Sequence, residues 1–449
     1  MTDLEQKYAS LNVPRYTSYP TAPHFSEAVG PAIYGDWLES IPRDTPLSLY
    51  LHVPFCQEMC HYCGCNTKAT KKIQPVLAYV ELMLKEIDLV LARLGTGRAV
   101  HHIHWGGGTP SLVPREAFLK IVEKLKANFV FTDDIEHAIE LDPRTVGDYL
   151  AETLKMAGIT RTSLGVQDFD EDVQKQIGRI QPLKTVEKAV AALRNVGLND
   201  INFDLMYGLP GQSEKTIRET VEYTKALAPG RVALFGYAHV PWFKKHQQLI
   251  KEENLPGTNE RIMLSDVSRD ALVEAGYDVI GLDHFALPTD EMAIALKEGR
   301  LRRNFQGYTT DNADCLIGFG CSSIGFLPQG YVQTTPSARE WERMLADETL
   351  PIKKGIAVDQ IDLCRAEIIM QLMTYYQVDY AAKAQKYGLP AGEFDKIPEA
   401  LQDMVNDAVV EQNGTTVTVT NAGRRYVRVV AAAFDSYLAT QQARHSVAV

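Results

Sequence analysis

The chain has 449 residues, 45% of them hydrophobic and 23% charged, which is the composition of a soluble globular protein long enough for one large domain and a smaller one. Its formal net charge of −11 argues against a general nucleic-acid binder, because neutralising phosphates needs a basic face. The longest uncharged apolar stretch, Val232 to Phe243, is too short to span a bilayer and contains Pro241, and the first six residues have neither the basic nor the apolar region of a signal peptide. A cytoplasmic location with no membrane span is expected.

Residues 1–47 read as a loosely structured arm. Its core, Pro14-Arg15-Tyr16-Thr17-Ser18-Tyr19-Pro20-Thr21-Ala22-Pro23, holds three prolines, each biasing its predecessor toward extended backbone. Aromatic and basic groups on such an arm can cover a site or pack on a surface.

A strand-like run from Ser48 then ends in a turn that places Cys56, Cys60, Cys63 and Cys65, four of the seven cysteines, within ten residues. The other three cysteines are scattered and a cytosolic compartment keeps thiols reduced, so the cluster points to metal rather than to disulfides. Zinc sites pair two such knuckles or join one to a histidine pair, and no second knuckle follows. Cys56-x-x-x-Cys60-x-x-Cys63 instead offers one thiolate to each of three corners of a 4Fe-4S cube and leaves the fourth iron open. Ligation by Cys65 would close that iron, so Cys65 is read as a neighbour.

From Ser48 to about Ala286, β-rich runs alternate with helix-period segments. The runs are Ser48 to Phe55, His102 to Trp105, His137 to Leu141, Thr162 to Val166, Ile201 to Tyr207, Val232 to His239 and Val279 to Leu282. One intervening helix carries Val80, Leu84, Ile87 and Leu91 on one face; another carries Val186, Val190 and Leu193 and is closed by Gly197. Such alternation implies a parallel sheet, closed or open, with its site at the C-terminal strand ends. Polar residues gather there: Glu140 and Asp142 after the third strand, Gln167 and Asp168 after the fourth, Asp204 in the fifth and His239 after the sixth. Trp105-Gly106-Gly107-Gly108-Thr109-Pro110, one strand after the cysteine loop, lets backbone approach a ligand closely. His102 and His104 share one strand face without a cysteine beside them, which speaks against a zinc site there.

Farther on, Asn304-Phe305-Gln306-Gly307-Tyr308-Thr309-Thr310 and Gly318-Phe319-Gly320-Cys321-Ser322-Ser323 are polar, glycine-containing loops. The second echoes half of a dinucleotide fingerprint but opens no βαβ unit. Residues 350–449 turn to longer helical segments, a hairpin signal at Val409 to Val419 around Asn413-Gly414, and a helix to Leu438, a pattern resembling a winged-helix module used for packing or as a lid.

The cysteine spacing resembles that of radical S-adenosylmethionine enzymes. In them the open iron chelates the methionine moiety, one electron cleaves the C5′–S bond, and the 5′-deoxyadenosyl radical abstracts hydrogen. The arm, the Cys63-Gly64-Cys65 ending, His104-Trp105-Gly106-Gly107-Gly108-Thr109-Pro110, Gly165-Val166-Gln167-Asp168-Phe169, Asp204-Leu205-Met206-Tyr207-Gly208-Leu209-Pro210 and the Asn304 to Thr310 loop together resemble the oxygen-independent coproporphyrinogen III oxidases over essentially the whole chain. The resemblance implies an α/β fold: a three-quarter, TIM-like radical-SAM barrel at 48–349, an arm over the active site at 1–47 and a mainly helical C-terminal domain at 350–449. It implies anaerobic oxidative decarboxylation of two propionates of coproporphyrinogen III to vinyl groups in haem synthesis, giving protoporphyrinogen IX.

A 4Fe-4S cluster on Cys56, Cys60 and Cys63 and two S-adenosylmethionine molecules are also implied. Carried over by motif, Tyr50, Tyr62, Gly107, Glu140 and Ile324 hold the cluster-bound cofactor, and Gly108, Thr109, Gln167, Arg179, Asp204 and Ala238 the second. Tyr50, Glu140, Phe305 and Gln306 match positions important for activity, and Arg15 would meet a substrate propionate. The expected partners are the substrate and a low-potential donor such as flavodoxin or ferredoxin, with a monomeric enzyme and an unidentified electron acceptor. Two relatives offer other functions: a haem chaperone that keeps the cluster, and a radical methyltransferase that opens haem. The arm and Cys65 favour the oxidase. Where the family tends to read Gly-x-Gly-x-Ser-Ala, this chain has Cys321 at the second x and Ser323 in place of the Ala.

Overall fold

A computed structural model describes residues 3–8, 11–390 and 392–438, so the end of the expected C-terminal domain, 439–449, lies outside the described residues. The chain forms two compact units, each discontinuous in sequence: one comprises 26–275 and 313–355, the other 1–25, 276–312 and 356–449.

The first unit is built on six parallel strands: β1 (Leu47–Val53), β2 (Arg98–Gly107), β3 (Phe129–Leu141), β4 (Arg161–Gln167), β5 (Asp200–Tyr207) and β6 (Arg231–Gly236). Each pairs in parallel with the next, and helices such as Gln74–Leu94, Arg115–Asn128, Leu183–Asn195 and Glu214–Leu227 make the returns. On the other side of β1 the sheet continues through the parallel strand Cys315–Phe319 and the antiparallel strands Ile324–Leu327 and Gly330–Thr334. The strand order is linear, so the sheet stays open, a partial barrel rather than a closed one.

The two faces of this sheet differ, and the difference places the site. In β4, Thr162, Leu164 and Val166 are buried while Arg161, Ser163, Gly165 and Gln167 are only partly so; in β5, Ile201, Phe203 and Leu205 alternate in the same way with Asn202, Asp204 and Met206. With a side-chain period of two, one face carries the apolar residues that helices cover and the other carries a polar surface. The helix face of Val80, Leu84, Ile87 and Leu91 is buried as its spacing predicts.

Several sequence expectations change in detail. Residues 31–40 form a ten-residue helix opened by Pro31, so the loose arm is shorter than 1–47. The sixth strand stops at Gly236, which leaves Ala238 and His239 in the following loop. The expected seventh strand is Asp278–Ile280 in an antiparallel hairpin with His284–Ala286, because too few residues separate the two for a crossover. The last segment is a 3-10 turn, Arg424–Tyr426, and a helix, Val427–Ala432, that ends before Leu438.

In the second unit, three antiparallel strands, Gln377–Asp379, Thr416–Val419 and Val410–Asn413, accompany the helices Gln360–Tyr375, Tyr380–Lys386 and Ile397–Asn406. The arm packs here: Tyr16 and Tyr19 are buried and reach Asp435 Oδ2 at 3.0 Å and Ser436 Oγ at 2.9 Å.

Candidate cluster and cofactor site

The loop after β1 carries Cys56, Cys60, Cys63 and Cys65, and neighbouring elements clamp it on several sides. Its own return pairs Phe55–Cys56 with Lys68–Ala69. His61 N donates to Ile177 O at 2.9 Å. Beyond β6, His246 Nε2 lies 2.7 Å from Cys63 O, Lys244 Nζ donates to Cys65 O at 2.8 Å, and Gln247 Nε2 donates to Tyr62 O at 2.8 Å and to Ala238 O at 3.3 Å. Tyr62 packs beside the apolar group of Val173, Ile177, Leu209, Tyr237 and Ile250. Sequence reasoning missed Lys244, His246 and Gln247, whose targets are backbone carbonyls and leave no pairing pattern to read.

The sulfurs are surrounded by donors. Thr109 Oγ1 donates to Cys56 Sγ at 3.6 Å, Thr67 Oγ1 lies 3.2 Å from the same sulfur, and Arg179 Nη1 donates to Cys60 Sγ at 3.4 Å with Arg144 Nη2 at 4.0 Å. Two guanidinium groups on one sulfur suit a thiolate, and hydrogen bonds to ligand sulfurs are how proteins tune an iron–sulfur cluster. Burial raises the Cys56 pKa, and the nearby Cys60 and Cys63 add to the rise. Among the described residues no three His, Cys, Asp or Glu side chains gather on a single-ion site. The fit to a cluster rests on the cysteines themselves: three thiols share one loop, and donors meet the sulfurs of Cys56 and Cys60 as they would meet ligand thiolates.

Arg179 is buried beside this loop, and its Nε has no hydrogen-bond partner among the described residues. It lies 3.3 Å from Asp142 Oδ1 and donates through Nη2 to Gly165 O at 2.7 Å. Burial opposes the charge of Asp142, but the Arg144 hydrogen bonds and the Arg179 charge hold its pKa below the ordinary value. Gln167 sits one strand position beyond a register shift in β4, with φ of 70°, a left-handed conformation that costs a non-glycine residue roughly 1–3 kcal/mol and recurs at functional sites.

A second group forms where β1, β2 and β3 lie side by side. Glu140 Oε2 accepts from Gly107 N at 3.1 Å, and its Oε1 lies 3.1 Å from His104 Nε2. Burial works against its ionisation, yet these two partners hold its pKa down, and 40% of its side-chain surface remains accessible. Tyr50 Oη lies 3.0 Å from His52 Nδ1, and His52 Nε2 lies 3.0 Å from Asn66 O. A carbonyl only accepts, so His52 Nε2 bears the proton; burial lowers the His52 pKa, which favours the neutral ring whose Nδ1 accepts from Tyr50. Tyr50 Oη thus has its proton committed and its lone pairs free. Glycine is required at 107: φ is +111° and a Cβ would stand 2.5 Å from the His52 ring. Gly108 N and Thr109 N donate to Val53 O and Phe55 O at 2.9 and 2.7 Å, which ties this loop to the start of the cysteine loop.

Asp204, on β5, accepts from Ser163 Oγ at 3.0 Å and Asn202 Nδ2 at 2.9 Å. Burial, with the Glu140 charge adding, lifts its pKa to about 7. Ile324 begins the strand after the turn 320–323, since Gly318 and Phe319, expected in a loop, end the strand Cys315–Phe319; in that turn Cys321 is buried and its N donates to Tyr79 Oη at 2.8 Å, while Ser323 Oγ bonds Thr334 Oγ1 at 3.0 Å. His102 and His104 stack at 6.3 Å, each beside its own carboxylate, Glu136 at 3.3 Å and Glu140 at 3.1 Å.

Arg15, Phe305 and Gln306 belong to the other unit. Phe305 and Gln306 form the turn between the paired strands Arg302–Asn304 and Gly307–Thr309, with Gln306 N donating to Asn304 Oδ1 at 2.9 Å. Arg15 is exposed and its charge reaches Asp283, whose pKa falls to about 2: burial opposes the fall, and Arg303, His284 and Arg15 outweigh it.

Residues 50–224 match the radical SAM superfamily. The oxygen-independent coproporphyrinogen III oxidase of Bradyrhizobium diazoefficiens is 43% identical over 100% of this chain and 99% of its own. The chain belongs to the oxygen-independent coproporphyrinogen III oxidase family. Another relative, the anaerobic coproporphyrinogen III oxidase 1 of Cereibacter sphaeroides, is 39% identical over 97% of this chain and 96% of its own. The solved structure of coproporphyrinogen III oxidase from Escherichia coli, a radical SAM enzyme, covers 94% of this chain and 98% of its own with a TM-score of 0.90 at 34% identity. Membership in this oxidase family accounts for the open sheet and for a cysteine loop at the C-terminal end of β1. Among the described residues, no helix is long and apolar enough to cross a membrane.

Proposed function

We infer that the chain is an oxidoreductase of haem biosynthesis that decarboxylates two propionates of coproporphyrinogen III oxidatively, without oxygen, to give protoporphyrinogen IX. The observation that carries this reading is the 43% identity to a named oxygen-independent oxidase across the entire chain, cysteine loop and arm included. Cys56, Cys60 and Cys63 would hold a 4Fe-4S cluster, and S-adenosylmethionine would bind beside it. When bound, the cluster and cofactor supply an electron and a carbon-centred oxidant for the substrate's hydrogen atom.

The chain's own residues bind, orient and hold protons. Glu140, kept ionised and fixed at both oxygens, accepts from the methionine ammonium; Tyr50 Oη, its proton held by His52, offers a second acceptor. Gly107 gives the backbone close access to this cofactor, and Gly108 to the second. Tyr62 and Ile324 line the cluster-bound one. For a second S-adenosylmethionine, Thr109, Gln167, Asp204 and the Ala238 backbone are the contacts, with Arg179 as the carboxylate partner. Arg15 reads a propionate, and Phe305 with Gln306 acts on the substrate. The enzyme works as a cytoplasmic monomer supplied by a low-potential flavodoxin or ferredoxin.

The test is anaerobic. Reconstituted protein receives dithionite, S-adenosylmethionine, coproporphyrinogen III and an electron acceptor, and protoporphyrin and CO2 are followed. Both products should form and both should vanish in Cys60→Ala. Cofactor cleavage or haem binding without either product, in protein holding a full cluster, would overturn the reading in favour of a chaperone or a haem-opening enzyme.

A further inference from the structure

We propose that the surface carrying Lys68, Lys71, Lys72, Ile73 and Leu77 is the docking surface for a small, acidic, one-electron carrier protein; this rests on Cys56, Cys60 and Cys63 holding a cluster. This surface is the immediate outer neighbour of Cys56. Lys68–Ala69 pairs in parallel with Phe55–Cys56, Lys68 N donates to Pro54 O and Thr70 N to Cys56 O, both at 2.8 Å. A carrier seated here is separated from the proposed ligand by one strand's thickness of protein.

The chemistry of the surface fits such a partner. Lys68, Lys71 and Lys72 are all exposed, and none has an ion pair among the described residues. The acidic side chains nearest in sequence are occupied elsewhere, Glu58 beside Arg144 at 3.5 Å and Glu81 beside Lys120 at 2.7 Å. Beside the lysines, Ile73 and Leu77 are 43% and 39% exposed at the start of the helix Gln74–Leu94. On a chain of net charge −11, an acidic partner is repelled by the surface at large, so a local patch of three cations around two apolar residues directs it to one place. A small apolar spot rimmed by charge is the form of transient redox contacts, which must release as readily as they bind.

The step is a single electron transfer. The carrier's reduced flavin or iron–sulfur centre loses one electron, the 4Fe-4S cluster gains it, and no bond or proton changes hands. Dithionite is a small reductant that needs no docking site, so it separates this proposal from the functional reading.

The experiment compares reconstituted wild type with Lys71→Glu/Lys72→Glu. Control proteins carry Lys184→Glu/Lys188→Glu, the same charge change on an exposed helix face elsewhere. Binding of an FMN-loaded flavodoxin and of a 4Fe-4S ferredoxin is measured by calorimetry at low and moderate salt, and cluster reduction is followed by electron paramagnetic resonance. The expected result is at least about tenfold weaker binding of the carrier and a matching loss of its reduction rate, with a smaller salt dependence. Reduction by dithionite and iron content should be unchanged, and the control should bind like wild type. Unchanged carrier binding in the 71/72 variant, equal loss in the control, or no binding of either carrier to wild type would each overturn the proposal. So would a raised substrate KM under dithionite with carrier binding intact, which would assign the lysines to the substrate's carboxylates. Loss of dithionite-driven product in wild type would instead count against the functional reading.

Discussion

His104 Nε2 stands 3.1 Å from Glu140 Oε1 while the Gly107 N–H holds the other carboxylate oxygen at 3.1 Å, so a backbone amide and an imidazole from one strand fix a carboxylate on the next. Register alone brings them together, since His104 pairs across from Ala138 two positions before Glu140. A hydrogen bond to a charged group contributes about 1.5–3 kcal/mol. His104→Leu should therefore weaken S-adenosylmethionine binding to the reconstituted protein by roughly 10- to 100-fold. His104→Gln, which keeps an N–H donor, should recover part of the loss in equilibrium dialysis.

Asp204 carries a carboxylate whose pKa is lifted to about 7 by burial and by Glu140. A raised folded-state value means stability is fully present below the unfolded pKa and is lost as pH rises through about 7. Asp204→Asn should thus stabilise the ligand-free protein at pH 8 by on the order of 2 kcal/mol, and the gain should fade by pH 5. Urea unfolding at the two pH values checks this.

Asp283 runs the other way. Its pKa is depressed to about 2, with burial opposing and Arg303, His284 and Arg15 prevailing, and its side chain is 22% exposed. Its contribution is present above the unfolded value near 3.8 and is lost as pH falls through about 2. Asp283→Asn should cost about 2 kcal/mol at pH 7 and flatten the acid limb of the stability profile between pH 4 and 2, read by acid titration of unfolding.

Removing Arg179 strips one of two arginine partners from a buried carboxylate and a donor from Cys60 at once. Arg144 remains on Asp142, which puts the expected cost of Arg179→Ala at about 3 kcal/mol, the lower end for breaking a buried pair. Iron bound per chain after reconstitution should also fall. Denaturant unfolding and iron analysis test the two effects separately.

What the sequence by itself determined is local or periodic. Three cysteines at i, i+4 and i+7 carry the spacing of a cluster motif without reference to the rest of the chain, and period-two strands between period-3.6 helices declare a parallel sheet. The whole-chain motifs made the family legible as well. Tertiary structure decided what lies far apart in sequence. Arg179 reaches Cys60 across 119 positions and His246 reaches Cys63 across 183, and such pairings depend on strand register and loop closure rather than on residue spacing. It also decided where the alternation stops, because the run at Asp278 can turn back on itself only as an antiparallel hairpin. The protonation of Asp204, Glu140 and Asp283 belongs to the same class: a carboxyl group takes opposite shifts according to which charges the fold buries beside it.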